Sequence, residues 1–145
     1  MKSSKLRRND HRNTSIVDLF AYMRSFPAPA WVSLLHRLSG ALMFLLLPAI
    51  IWAFDASVSS ELSFARWVEV FENGFWLVPG WLFKLMVLAV LWSYLHHLLA
   101  GLRFLVLDVN HAAVDKARAR RSAQAVLLAS LGLTLVLGAK LFSLY

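Results

Sequence analysis

Hydrophobic and polar positions fall in long blocks along this chain, not in the short alternations of a half-buried helix or strand. Three apolar runs stand out: Trp31 to Phe54, Trp81 to Leu107 and Ala123 to Leu144. A bilayer core about 30 Å thick is crossed by about 20 helical residues, so each run predicts a membrane-spanning helix. Between the first two, Phe64 to Phe75 mixes aromatic with acidic residues and predicts a short helix lying on the membrane surface, followed by a turn at Pro79-Gly80. Ahead of the first, Ile16 to Met23 reads either as an interfacial helix ended by Phe26-Pro27-Ala28-Pro29 or as an unstructured lead. Residues 1–15 are expected to be disordered. The expected fold is thus an all-α membrane protein, with an N-terminal segment over 1–30 and a three-helix anchor domain over 31–145. Basic residues before the first run would also suit a signal peptide, but two further spans follow it, so it is read as a retained helix.

Composition sharpens the picture. The chain has 145 residues, 59% of them hydrophobic, and a mean hydropathy of +0.62, above the usage of ordinary soluble domains and far from that of disordered ones. It has no cysteine, which excludes a disulfide, a thiolate zinc site, a thiol nucleophile or an iron–sulfur cluster held by this chain. A formal charge of +7 would suit nucleic acid only if the basic residues shared one polar surface. They sort by connection instead. Lys2, Lys5, Arg7, Arg8, Arg12 and Arg24 precede the first span, Asp55, Glu61, Glu69 and Glu72 follow it, and Lys116, Arg118, Arg120 and Arg121 lie between the second and third. The positive-inside rule then predicts a cytoplasmic N-terminus and a C-terminus on the opposite, periplasmic or outer, side. Trp31, Trp52, Trp76 and Trp81 near the span ends suit the headgroup belt, and Lys140 can snorkel at the outer end.

The third span is aliphatic and small, a packing helix by its side chains, so candidate chemistry falls on the other two. An ionisable residue within a membrane helix is costly and normally faces protein, cofactor or water. The first span opens with Ser33, His36 and Arg37 on one face. A hydroxyl and a guanidinium can bind a carbonyl oxygen, and imidazole with guanidinium can bind carboxylates; alternatively Arg37 snorkels and His36 fills the boundary. The second span carries Ser93, His96, His97, Gly101 and Arg103, then Asp108. Counting from its inner end, its histidines lie about 15 Å deep, where haem iron is the strongest partner open to an imidazole. His97 shares a stripe with Ser93, Ala100, Gly101 and Phe104, and Gly101 leaves room for a flat ring. His96 projects about 100° away, towards a neighbouring helix or a backbone carbonyl. By the same count His36 lies too near the inner surface to face His97, so a second axial histidine is expected from another subunit.

The stretch Ser33-Leu34-Leu35-His36-Arg37-Leu38-Ser39-Gly40, with His97-Leu98-Leu99-Ala100-Gly101-Leu102-Arg103 and Asp108, resembles the larger cytochrome b anchor subunit of succinate dehydrogenase, respiratory complex II. The likeness extends from about Ile16 to the C-terminus. It implies a heteromeric helix bundle in which His97 is an axial ligand of haem b, shared with a histidine of the smaller anchor subunit. It implies that Ser33 and Arg37 line a ubiquinone site, that His36 and Arg37 reach a haem propionate, and that a flavoprotein and an iron–sulfur subunit are partners. Arg103 and Asp108 match as well, as an ion pair or a propionate contact. Phe104 stands where many members carry a second histidine, and the Arg-Pro-x-Ser-Pro-His lead of the mitochondrial type is absent. The expected function is that of a membrane anchor passing electrons from succinate to ubiquinone, itself no dehydrogenase. The alternatives are a structural or assembly protein without redox work, a transporter component, and the anchor of a fumarate reductase.

Overall fold

In a computed structural model, residues 16–110 and 115–142 are described, and they form five helices. Helix α1 (Ile16–Arg24) precedes α2 (Ala28–Val58), which follows the extended Pro27 and has Pro29 in its first turn, where a missing N–H costs nothing. Pro48 lies inside α2; membrane helices accommodate such a residue when neighbouring groups satisfy the freed carbonyl. Helix α3 (Glu61–Asn73) starts at a capping box in which Ser60 and Ser63 exchange backbone and side-chain hydrogen bonds. Helix α4 (Gly80–Val109) follows a tight turn where Gly74, at φ 92°, leaves no room for a Cβ beside the Val78 carbonyl. Helix α5 (Lys116–Leu141) is capped by the Asp115 carboxylate, which accepts from the Ala117 and Arg118 amides.

Helices α2, α4 and α5 are each long and apolar enough to cross a membrane, as the three apolar runs predict. α1 and α3 coincide with the two expected interfacial segments. α5 begins earlier than the hydropathy suggests and takes in the basic run Lys116 to Arg121, because capping by Asp115, not apolarity, fixes its start. The expected disorder of residues 1–15 and the last residues of the third run fall outside the described residues.

α4 packs against both α2 and α5, α2 also touches α5, and α3 bridges α2 and α4 at their far ends. What lies between the helices is small or polar: Val32, Ser39, Ser93, His96, Ala100, Ala123 and Ser130 are all but inaccessible. What faces outward is large and apolar, including Leu38, Phe44, Ile51, Tyr94, Leu105, Leu128 and Leu135. That inversion is expected where lipid or neighbouring helices replace water: small residues let backbones approach and hydroxyls bridge helices. The Val32, Ala100 and Ala123 contact closes the bundle at the end where α2 starts.

Candidate functional site

The two central histidines meet across α2 and α4. The His36 and His97 rings stack with centroids 4.1 Å apart and planes 10° from parallel. Each lies over a glycine of the opposite helix: a Cβ on Gly40 would come within 2.8 Å of Cε1 of His97, and one on Gly101 within 3.6 Å of Nε2 of His36. Because His36 and Gly40, like His97 and Gly101, are four apart on one face, antiparallel packing of α2 on α4 makes the two contacts reciprocal. His36 therefore stands level with His97, which corrects the expectation that it lies too near the inner surface. The physical reason is a missing common origin. His36 is eight residues into α2 and His97 is twelve from the end of α4, so α4 overhangs α2 by about 6 Å at 1.5 Å per residue. Hydropathy alone placed each helix end separately.

The hydrogen bonds around His97 select one tautomer. Its Nδ1 lies 3.0 Å from the His36 backbone carbonyl and 3.3 Å from Oγ of Ser39, whose hydroxyl donates to the same carbonyl at 2.9 Å. A carbonyl only accepts, so Nδ1 carries the proton and donates. Nε2 is left with a free lone pair, the arrangement by which a ligating imidazole is held in orientation. Its partner ring, His36, also meets Phe104 edge-on at 5.2 Å.

His96 points to α5, as its angular offset predicts. It is fully buried, stacks on Trp92 at 5.2 Å, and its Nδ1 lies 3.2 Å from Oγ of Ser130. Nε2 completes no hydrogen bond among the described residues. Arg103 also turns to α5, donating from Nε to Oγ of Ser122 at 3.0 Å and from a terminal nitrogen to the Ala119 carbonyl at 3.1 Å. No ion pair joins it to Asp108, which is exposed: five residues apart on α4, the two side chains leave the helix on different sides. Ser33 is half-buried and Arg37 exposed on α2. They share a face by their spacing of four, and among the described residues neither bonds to the histidine pair.

Residues 11–137 match the family described as succinate dehydrogenase/fumarate reductase transmembrane subunit. The chain belongs to this family. Its relatives include the succinate dehydrogenase cytochrome b556 subunit of Paracoccus denitrificans, 29% identical over 110 residues, which cover 76% of this chain and 78% of that protein. The subunit of the same name from Coxiella burnetii is 32% identical over 85 residues, 59% of this chain and 63% of that protein. This family member, with three apolar spans and bacterial relatives, is a multi-pass protein of the bacterial inner membrane.

Within this succinate dehydrogenase/fumarate reductase membrane subunit, several residues of the site escaped the sequence reading. The sequence assigns Ser39 and Gly40 no role of their own, yet they hold the His97 ring through a hydroxyl and an absent side chain. Ser122 and Ser130 on α5 went unnoticed because hydroxyls are ordinary in a membrane span. A signal was present: Ser130, Thr134 and Gly138 are spaced by four and all buried, the small-residue pattern of a contact face.

Proposed function

We propose that this chain is the larger cytochrome b anchor of a succinate:ubiquinone oxidoreductase, holding haem b with a partner subunit and contributing to the ubiquinone-reduction site. The observation that carries the reading is the His97 tautomer: Nδ1 donates to the His36 carbonyl and Nε2 keeps its lone pair, as an axial ligand of haem iron requires. These residues fit the group. His97 would hold the haem through Nε2, and His36, whose ring lies on the His97 ring at 4.1 Å, would not supply the second ligand. That ligand comes from the smaller anchor subunit. Gly101 enters by admitting the His36 ring beside the ligand. When bound, the haem supplies a one-electron carrier.

Ser33 and Arg37 hold a quinone oxygen, and the guanidinium stabilises the negative charge that reduction places there, an effect strengthened by a low dielectric. Arg37 is exposed in the isolated chain, and an exposed cation on a membrane helix calls for a partner from outside it. The resemblance adds a haem-propionate contact to His36 and Arg37. Succinate oxidation belongs to a flavoprotein and an iron–sulfur subunit, since a chain without cysteine cannot ligate a cluster by thiolate. They dock on the basic, cytoplasmic end. The family also covers fumarate reductases; the names of both relatives favour succinate as the donor.

The test is a reduced-minus-oxidised spectrum of the complex purified on a tagged chain. Wild type should show a b-type signal, and His97→Ala should lose or weaken the Soret band. An unchanged spectrum in His97→Ala moves the ligand elsewhere. A colourless wild-type complex would instead leave a structural anchor.

A further inference from the structure

Arg103 is a cation sealed into a membrane helix pair. It is only 8% exposed, its bonds to Ser122 and Ala119 are to neutral oxygens, and among the described residues it meets no carboxylate. Its guanidinium also lies over the Phe104 ring, 5.5 Å from the centroid. The nearby acids are otherwise placed: Asp115 caps α5 through the Ala117 and Arg118 amides, and Asp108 is exposed on α4. Buried charges are normally paired, because neutral acceptors recover only part of the lost hydration. An anion from outside the chain is called for.

A cavity of about 460 Å³ opens beside Arg103, between α4 and α5. Arg103, Arg118, Asn110 and Ser122 supply its polar wall, while Val106 and Val126 are among its apolar residues. None of its described lining residues is acidic. Phe104 stands between Arg103 and His36, touching both, so this place is separate from the imidazole pair. A site with the buried Arg103 guanidinium and an apolar flank suits an amphiphile with an anionic head.

We propose that the α4–α5 cavity binds the phosphate headgroup of an anionic phospholipid on Arg103, with an acyl chain along the Val106 and Val126 side. Basic pockets between membrane helices recognise such headgroups by charge, and arginine is suited to phosphate by its planar array of donors. A zwitterionic lipid brings its own cation and competes with the guanidinium. The site therefore discriminates by net headgroup charge. This inference rests on α4 and α5 alone and stands or falls apart from the haem reading.

The complex purified on the full-length chain is washed free of lipid in a mild detergent and offered phosphatidylglycerol or phosphatidylethanolamine in mixed micelles, with bound lipid counted by native mass spectrometry. Wild type should retain one phosphatidylglycerol per chain in preference to phosphatidylethanolamine. Arg103→Gln should lower that retention about five-fold, the ratio for roughly one basic group at a lipid surface. Val106→Trp fills the cavity from a position 57% exposed and should lower it too; if Arg103→Gln does not assemble, this variant decides. Equal retention in wild type and Val106→Trp overturns the proposal. So does displacement of the lipid by inorganic phosphate alone, which would mark a free-anion site. A photoreactive side chain at position 106 that cross-links only to another subunit would give the pocket to a protein partner and overturn it as well.

Discussion

A methyl group at position 40 would fall 2.8 Å from Cε1 and 3.2 Å from Nδ1 of His97, closer than side-chain carbons pack. The imidazole would have to retreat, and with it the Nδ1 bond to the His36 carbonyl. In Gly40→Ala we therefore expect the complex to assemble with a weakened or shifted b-type Soret band and an altered haem midpoint potential. An unchanged spectrum and potential would show that the ring does not depend on this contact. Arg37 makes the opposite case, since it is exposed and bonds to neither histidine of the pair among the described residues. Arg37→Ala should lower quinone-linked turnover by about 10²–10³-fold, the scale for losing one charge-stabilising donor, while succinate oxidation by an artificial acceptor persists. Normal quinone turnover would remove Arg37 from the site. Residue roles were legible where helical geometry alone decides them: the 100° step separates His96 from His97 in any α-helix. The level of His36 was not legible, because it depends on how far α4 overhangs α2, a property of two helices together.

At the scale of the element, α5 is more than filler. It supplies Ser130 to His96, and Ser122 and Ala119 to Arg103, so both polar side chains that α4 turns away from α2 end on it. Hydrogen bonds between membrane helices are worth about 0.6 kcal/mol on average and about 1.7 at most. Ser130→Ala should accordingly destabilise the helix bundle by about 0.6–1.7 kcal/mol, read as an earlier midpoint in detergent-denaturant unfolding followed by circular dichroism, with the haem spectrum retained. A loss of haem in that variant would mean that His96, not His97, carries the cofactor. The sequence reading treated α5 as a packing helix because Ser, Thr and Gly add little polarity to a span. What marks them is their spacing of four, which becomes informative once a buried imidazole needs an acceptor opposite. α3, by contrast, was legible from composition, since its aromatic and acidic residues suit neither a core nor a span. In the structure Trp52 meets Trp67 and Phe71 meets Phe83 in T-shaped ring contacts that tie it between α2 and α4.

For the whole molecule, the arrangement of charge decides which way the anchor faces, and function follows from that. Lys116, Arg118, Arg120 and Arg121 gather at the start of α5, the same end as the opening of α2, whereas Glu61, Glu69 and Glu72 lie on α3 at the other end, with Arg66 the one base among them. On the proposed reading, the lysine- and arginine-rich start of α5 faces the cytoplasm, and the soluble succinate-oxidising subunits reach Ser33 and Arg37 from that side. A chain without cysteine makes this directly measurable, because a single introduced thiol reports its own compartment. Glu69 and Arg120 are both exposed, and replacing either removes one charge from its end without reversing the bias there. In intact spheroplasts a membrane-impermeant maleimide should label Glu69→Cys and spare Arg120→Cys until the membrane is opened. The reverse pattern would place Ser33 and Arg37 on the periplasmic side. Electrons from a cytoplasmic dehydrogenase would then have to cross the bilayer before reaching Arg37, and the assignment of Ser33 and Arg37 to quinone reduction would fail with the orientation.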